Sequence, residues 1–208
     1  MTTAVLLSSA YLPPVEYFSK VISYPQIEIE LYEHFPKQTY RNRCSIYGAN
    51  GKLDLIVPTV KYSERTLTKD IKISYANAWQ KLHWKSMEAA YRSSPFFEYY
   101  EDYFVPFYKE KKFDFLIDLN SELFSLTNKL LQINPSVKNT SEYLRMPINT
   151  DDLRTLLSPK VKDRTLQPSL YSQVFENKLG FIPNLSIIDL LFNHGPSARE
   201  YIPLTINE

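Results

Sequence analysis

Residues 4–32, AVLLSSAYLPPVEYFSKVISYPQIEIELY, decide the fold class. The opening AVLLSS (4–9) is short, continuous and apolar, as a strand covered on both faces must be. Pro13 and Pro14 fix a rigid loop, and a short helix can begin only once the second ring is passed. QIEIELY (26–32) then alternates, with Ile27, Ile29 and Leu31 on one side and Gln26, Glu28 and Glu30 on the other, which predicts a half-exposed strand. Strand, loop, helix and strand in that order open an α/β domain. Open α/β sheets bind ligands beyond the carboxyl ends of their strands. Ser8, Ser9, Tyr11 and Tyr17 are therefore either substrate contacts or parts of an ordinary strand-to-helix turn.

Further along, CSIYGANGKLDLIVPTV (44–60) holds an Asn50-Gly51 pair between two β-rich runs, the strongest short-range hairpin signal in the chain. The polar stretch after Pro58 shows no helical period, offers a possible strand at Ile71 and Ile73, and has the composition of a lid. Helical spacing starts after Asn77, the expected N-cap, and brings Trp79, Leu82, Met87, Ala90 and Tyr91 to one broad face, with His83 near its centre. A second helix starts at Pro95, carries Phe96, Tyr99, Tyr100, Tyr103, Phe104 and Phe107, and should stop at Pro106. Leu116, Leu119, Leu123, Leu126 and Leu130 define a third. In the tail, Ser186 should cap a helix filled by Ile187 to Phe192 and ended by Gly195.

These elements predict a single α/β domain over 1–208: a small mixed sheet from the N-terminal half, with a Rossmann-like opening and a β-hairpin, packed by a helical C-terminal half. Residues 1–75 are mainly strands, 76–133 helices, 134–170 an extended connection and 171–208 a helical tail.

Composition removes several function classes. With 24 Lys and Arg against 23 Asp and Glu there is no general field to hold nucleic acid, so none is expected as a partner. The single Cys44 excludes an internal disulfide and a cysteine-built zinc cage, and suits the cytoplasm. No apolar run approaches the roughly 20 residues of a membrane span. Four glycines without a GxGxxG leave no Rossmann or P-loop phosphate cradle. There is no HExxH, no Asp-x-Asp and no GxSxG, so no metal, no cofactor and no serine nucleophile is expected. The 16 Tyr and 12 Phe either line a binding cleft or fill a core with large rings.

The remaining polar candidates are scattered. TYRNRC places Arg41, Asn42 and Arg43 just before the hairpin, where guanidiniums can grip a carboxylate or phosphate. Lys61 and Arg65 follow in the possible lid, either as cations that close over an anionic substrate or as part of a plain charged loop. His83 lies on the inward face of its helix, where it is either a general acid-base or a hydrogen-bonded core residue. Asp189 and Asn193 interrupt an apolar helix one turn apart and must satisfy something: loop backbone amides or an arginine in the simpler case, a substrate in the other. A shared site requires the turn after the first strand, the basic pair and the imidazole to converge on one hollow.

The segments YLPPVEYF (11–18), RNR (41–43), NGKLDLIVPTVK (50–61), WQKLHW with AAYRSSPFF (79–97) and FIPNLSIIDLLFNHGP (181–196), in that order, resemble the WbqC-like family of bacterial proteins. The resemblance picks out Pro13, Tyr17, Asn42, Arg43, Lys61, His83, Asp189 and Asn193 as matching the family pattern, without assigning them roles. It implies a cytoplasmic transferase of surface polysaccharide (O-antigen-like) biosynthesis, moving an aminoacyl or acyl group onto a nucleotide-linked amino sugar. Arg43 and Lys61 would hold the anionic part and His83 would take the proton. The alternative is a non-catalytic binding or assembly protein of the same pathway, docking a partner through its aromatic helices. At Ser8 and Ser9 the chain departs from the Gln-Pro of many members, and it lacks most of the strand-containing insert that longer members carry before the tail.

Overall fold

The first strand, β1 (Ala4–Ser8), is buried along its whole length because it has a hydrogen-bonded partner on each side. The computed structural model describes residues 4–110, 112–155 and 169–202. β1 pairs in parallel with β2 (Gln26–Glu30), Ala4 opposite Gln26 and Ser8 opposite Glu30. Parallel neighbours need a crossover, and α1 (Val15–Ser23), starting directly after Pro14, supplies it. Val5 and Leu7 stand beside Ile27 and Ile29 and pack with Tyr17 and Val21 of α1. Each such buried side chain contributes about 1.5–3 kcal/mol.

The chain belongs to the α/β class, with its strands divided between two sheets. The hairpin of β3 (Arg43–Gly48) and β4 (Gly51–Ile56) forms a sheet of its own rather than joining a mixed one. Gly48 pairs with Gly51, so Ala49 and Asn50 make the turn, one residue earlier than expected. Gly51 closes it at φ +107°, a conformation that side chains resist.

The four-stranded sheet, in order β5-β2-β1-β6, is parallel throughout. Its outer strands, β5 (Ser136–Asn139) and β6 (Thr150–Asp152), come from the stretch read as an extended connection. Part of that stretch, 156–168, lies outside the described residues. Neither strand shows an apolar period, because each is three or four residues long and sits at an edge. Glu30 also departs from expectation: alternation assigns it to the exposed side, yet it is 0% exposed.

The possible lid after Pro58 is stitched along residues 31–35. Phe35 N donates to Thr66 O at 3.0 Å, Thr68 N to Glu33 O at 2.9 Å and Lys69 N to Leu31 O at 3.0 Å. The helices α2 (Trp79–Tyr91), α3 (Phe97–Lys109) and α4 (Leu116–Leu130) form where the spacing predicts them, but Leu82, expected on the inward face of α2, is 64% exposed, and Trp84 is buried in α2 instead. Ala78 rather than Asn77 occupies the α2 cap, and α3 runs through Pro106 to Lys109. A proline removes one main-chain donor, and here the helix ends within a turn instead of at the ring. After α5 (Glu176–Leu179), α6 (Ile187–His194) enters the middle of the helical half, touching α1, α2, α3, α4 and β3. Ser186 holds the N-cap position, but its hydroxyl donates to Leu12 O at 2.7 Å, tying α6 to the loop after β1. Among the described residues no helix is long and apolar enough to cross a membrane.

Asp189 is the polar exception inside α6, at 0% exposure. Tyr91 OH donates to its Oδ1 at 2.8 Å, and Tyr171 OH and Gln173 Nε2 donate to its Oδ2 at 2.8 and 3.0 Å. The partners are thus two phenols and a carboxamide, not the backbone amides or arginine the sequence suggested. Hydroxyls and amides bring no positive charge, so burial dominates and lifts the Asp189 carboxyl to about 6. A group whose folded pKa lies above its unfolded value binds a proton more readily when folded. Its contribution is therefore complete below about pH 4 and is lost as pH rises through about 6, amounting to about 3 kcal/mol. Urea unfolding should show the native chain losing stability relative to Asp189→Asn between pH 4 and pH 6.5. Parallel curves across that range would remove Asp189 as the source.

Candidate functional site

Counting outward from β1 locates a crevice. The chain adds β2 and then β5 on one side of β1 and returns to place β6 on the other, so the direction of winding reverses between β1 and β6. Beyond the carboxyl ends at such a reversal the flanking connections diverge and leave room for a ligand.

The side chains there form a charged floor. Arg41, 4% exposed, donates through Nε to Glu33 Oε1 at 2.8 Å and through Nη2 to Glu33 Oε2 at 2.7 Å. The same Nη2 donates to the Ser8 hydroxyl at the end of β1. Its Nη1 has no hydrogen bond to a described residue, although Arg41 lines a cleft of about 790 Å³. Arg154, just past β6, donates through Nη1 to Glu30 Oε2 at 2.8 Å and through Nε to Asp152 Oδ1 at 2.9 Å. The Arg154 guanidinium beside it holds the Asp152 carboxyl below its ordinary range. Tyr32, His34 and Tyr143 complete the rim, with the Arg154 guanidinium 5.0 Å from the Tyr143 ring centroid. The volume falls within the usual span for small-molecule sites, roughly 300–1,000 Å³.

Beneath the floor, Asn120 of α4 donates from Nδ2 to Ser9 Oγ and to Arg41 O, both at 2.9 Å. Tyr17 OH donates to Ser8 O at 2.9 Å. The end of β1 is thereby tied to α1, α4 and the Arg41 loop, which fixes the guanidinium before any ligand arrives.

His83 belongs to a second, closed cluster. It is 2% exposed, with Nε2 3.2 Å from Ile56 O and Nδ1 2.9 Å from Tyr11 OH, which in turn lies 2.7 Å from Tyr108 OH. A carbonyl can only accept, so Nε2 carries the proton, Nδ1 accepts from Tyr11, and Tyr11 accepts from Tyr108. Burial depresses the imidazole to about 4, leaving it neutral at physiological pH. Tyr11 lies in this cluster, not in the cleft.

The other predicted residues are spread out. Asn42 donates to Val57 O at 2.9 Å and fastens the end of the hairpin. Arg43 lies 3.8 Å from Asp54 across that hairpin. Lys61 and Arg65 are exposed on the stitched segment. Asp189 and Asn193 are buried on α6, where Asn193 Nδ2 donates to Asp189 O at 2.7 Å. The expected convergence is therefore partial: Ser8 and Tyr17 meet Arg41, while Arg43, Lys61 and His83 stand elsewhere. Glu33, His34, Tyr143 and Arg154 escaped the sequence reading because no motif marks them. The one legible signal was TYRNRC, from which the cleft takes Arg41 rather than Arg43.

The family model for the WbqC-like protein family matches residues 8–168 and 158–201. The chain is also similar to the uncharacterized protein Rv1507c of Mycobacterium tuberculosis, 26% identical over 227 aligned positions that cover 97% of this chain and 98% of that one. No solved structure matches.

Arg41→Ala alone should cost about 3–5 kcal/mol in urea unfolding, because Glu33 is left buried without its cation. Exchanging both for apolar residues, as in Arg41→Met with Glu33→Leu, should restore most of that; equal losses would mean the pair does not act as a unit. For His83, long-range proton–nitrogen spectra should show one Nε2–H tautomer with no titration between pH 5.5 and 8. A midpoint near 6.5 would contradict the sealed cluster.

Proposed function

For a chain that belongs to the WbqC-like protein family, we propose the role of a cytoplasmic transferase that binds a nucleotide-linked amino sugar in the Arg41 cleft and acylates its amine, within surface polysaccharide synthesis. The observation that carries this reading is a cleft of about 790 Å³ at the winding reversal, lined by a buried arginine, Arg41, whose Nη1 makes no hydrogen bond to a described residue. A guanidinium already fixed by Glu33 and Ser8 orients a phosphate oxygen at little further entropic cost. Tyr32 and Tyr143 offer ring faces for a base or sugar. His34, exposed at the rim, would take the proton that the amine releases as it attacks the carbonyl of an activated acyl donor such as a thioester. The thiol carrier departs with the electron pair of the broken carbon–sulfur bond and a proton.

The floor carries Glu30, Glu33 and Asp152 against Arg41 and Arg154, so it does not attract anions indiscriminately. Selectivity then rests on one oriented donor and two rings. A non-catalytic docking role is favoured by a different feature: Leu82 and Tyr99 of α2 and α3 are 64% and 74% exposed.

Thermal shifts against UDP-linked and dTDP-linked amino sugars separate the two readings. A ligand at 100 times its Kd should add about 2.7 kcal/mol of stability. Tyr143→Ala should weaken that shift, while His34→Ala should keep it and lose turnover, both with unchanged melting temperature without ligand. Silence of the whole panel, together with self-association or partner binding abolished by Leu82→Lys and Tyr99→Lys, would establish the docking role instead.

A further inference from the structure

The hairpin leaves one strand edge bare. In an antiparallel pair the main-chain groups alternate between facing the neighbouring strand and facing away from it. Val57 N donates to Asn42 O at 2.8 Å, and Gly48 stands opposite Gly51 at the turn, so Gly51, Leu53, Leu55 and Val57 turn toward β3. The N–H and C=O groups of Lys52, Asp54 and Ile56 therefore point out of the sheet. His83 Nε2 closes the run by donating to Ile56 O at 3.2 Å. Among the described residues no hydrogen bond reaches the main-chain groups of Lys52 or Asp54, and both residues are exposed. The outer edge of β3, by contrast, is occupied: Ser186 N donates to Ser45 O at 2.8 Å, and Tyr47 N donates to Tyr91 OH at 3.2 Å.

A bare edge is a template for another strand, and Lys is a common guard against such pairing. Here the guard is undone two positions later by Asp54, which makes the edge complementary to itself. A second copy related by a two-fold axis presents the same strand running antiparallel. Outward-pointing groups must meet outward-pointing groups, so within the bare stretch the axis can pass through position 52, 53 or 54 only. Through 52 it sets Lys52 against Lys52, and through 54 it sets Asp54 against Asp54; like charges directly opposite are destabilising. Through 53 it sets Lys52 opposite Asp54 of the second copy, twice, and brings the two copies of Leu53, 40% exposed, together. Leu53 then forms a non-hydrogen-bonded pair, the position at which facing side chains come closest. Asp54 is open to this second cation, because its sole ion pair among the described residues is the 3.8 Å contact with Arg43 and its side chain is 42% exposed. We propose that the chain forms a two-fold homodimer through β4, in which four main-chain hydrogen bonds between Lys52 and Asp54 of the two copies join the hairpins into one four-stranded antiparallel sheet. The inference is independent of the Arg41 cleft and uses neither Leu82 nor Tyr99.

Sedimentation equilibrium from about 1 μM to about 1 mM, the range suited to a short interface, should show a monomer–dimer equilibrium. Amide hydrogen exchange at Lys52 and Asp54 should slow as the concentration rises. Lys52→Asp and Asp54→Lys should each raise the dimer Kd roughly tenfold or more, because each places like charges opposite one another. An equimolar mixture of the two variants should dimerise again, as should the chain carrying both substitutions, since opposite charges then face each other once more. Recovery on mixing separates a lost interface from a lost fold. A chain monomeric at every concentration, a dimer that both variants retain, or variants that mixing does not rescue would overturn the proposal. Protection of the amides at 52 and 54 that is the same at every concentration would overturn it too, by showing that the chain's own residues cover the edge.

Discussion

β1 has hydrogen-bonded neighbours on both edges and hydrocarbon on both faces, so a polar side chain can appear only where the strand ends. Every feature of the charged floor follows from that constraint. Ser8 and Ser9 are the first hydroxyls the strand can carry, and they meet the arginine that the next loop brings back. Glu30 ends the neighbouring strand at the same level, opposite Ser8, and needs Arg154 to be tolerable there. The polar cluster therefore marks the level at which the apolar sheet stops.

Two further polar groups are buried in the helical half under a different rule. Asp189 and His83 are each surrounded by tyrosines, and each has its hydrogen-bonding capacity filled without an opposite charge. Four of the 16 tyrosines whose abundance suggested a ring-lined cleft are used here. Tyr11, Tyr91, Tyr108 and Tyr171 are buried, their rings filling core volume while their hydroxyls serve the imidazole or the carboxylate. Burial pushes the two groups in opposite directions, each away from its charged form: the carboxyl up to about 6 and the imidazole down to about 4.

The parts legible in the sequence were those that carry their own period. β1 announced itself by continuity, β2 by alternation, α4 by leucine spacing and the hairpin by Asn50-Gly51. β5 and β6 did not, because a three- or four-residue edge strand needs no apolar face and is defined by the partner it finds. The same limit governs the cleft. Arg41 and Glu33 are near in sequence, but Arg154 reaches Glu30 from 124 positions away, and no local pattern records such a pairing. His83 shows the converse: helical spacing correctly placed it inward, and that same inwardness seals it.

The late origin of β6 has a consequence for assembly. On a ribosome, β1, α1 and β2 emerge first, yet the strand that covers the other edge of β1 is made only after Asn149. Until then a strand apolar up to its final serine has one bare side, the kind of surface that pairs with neighbouring nascent chains. Sheet completion waits on a contact of very long sequence separation, which places this topology among the slower folders.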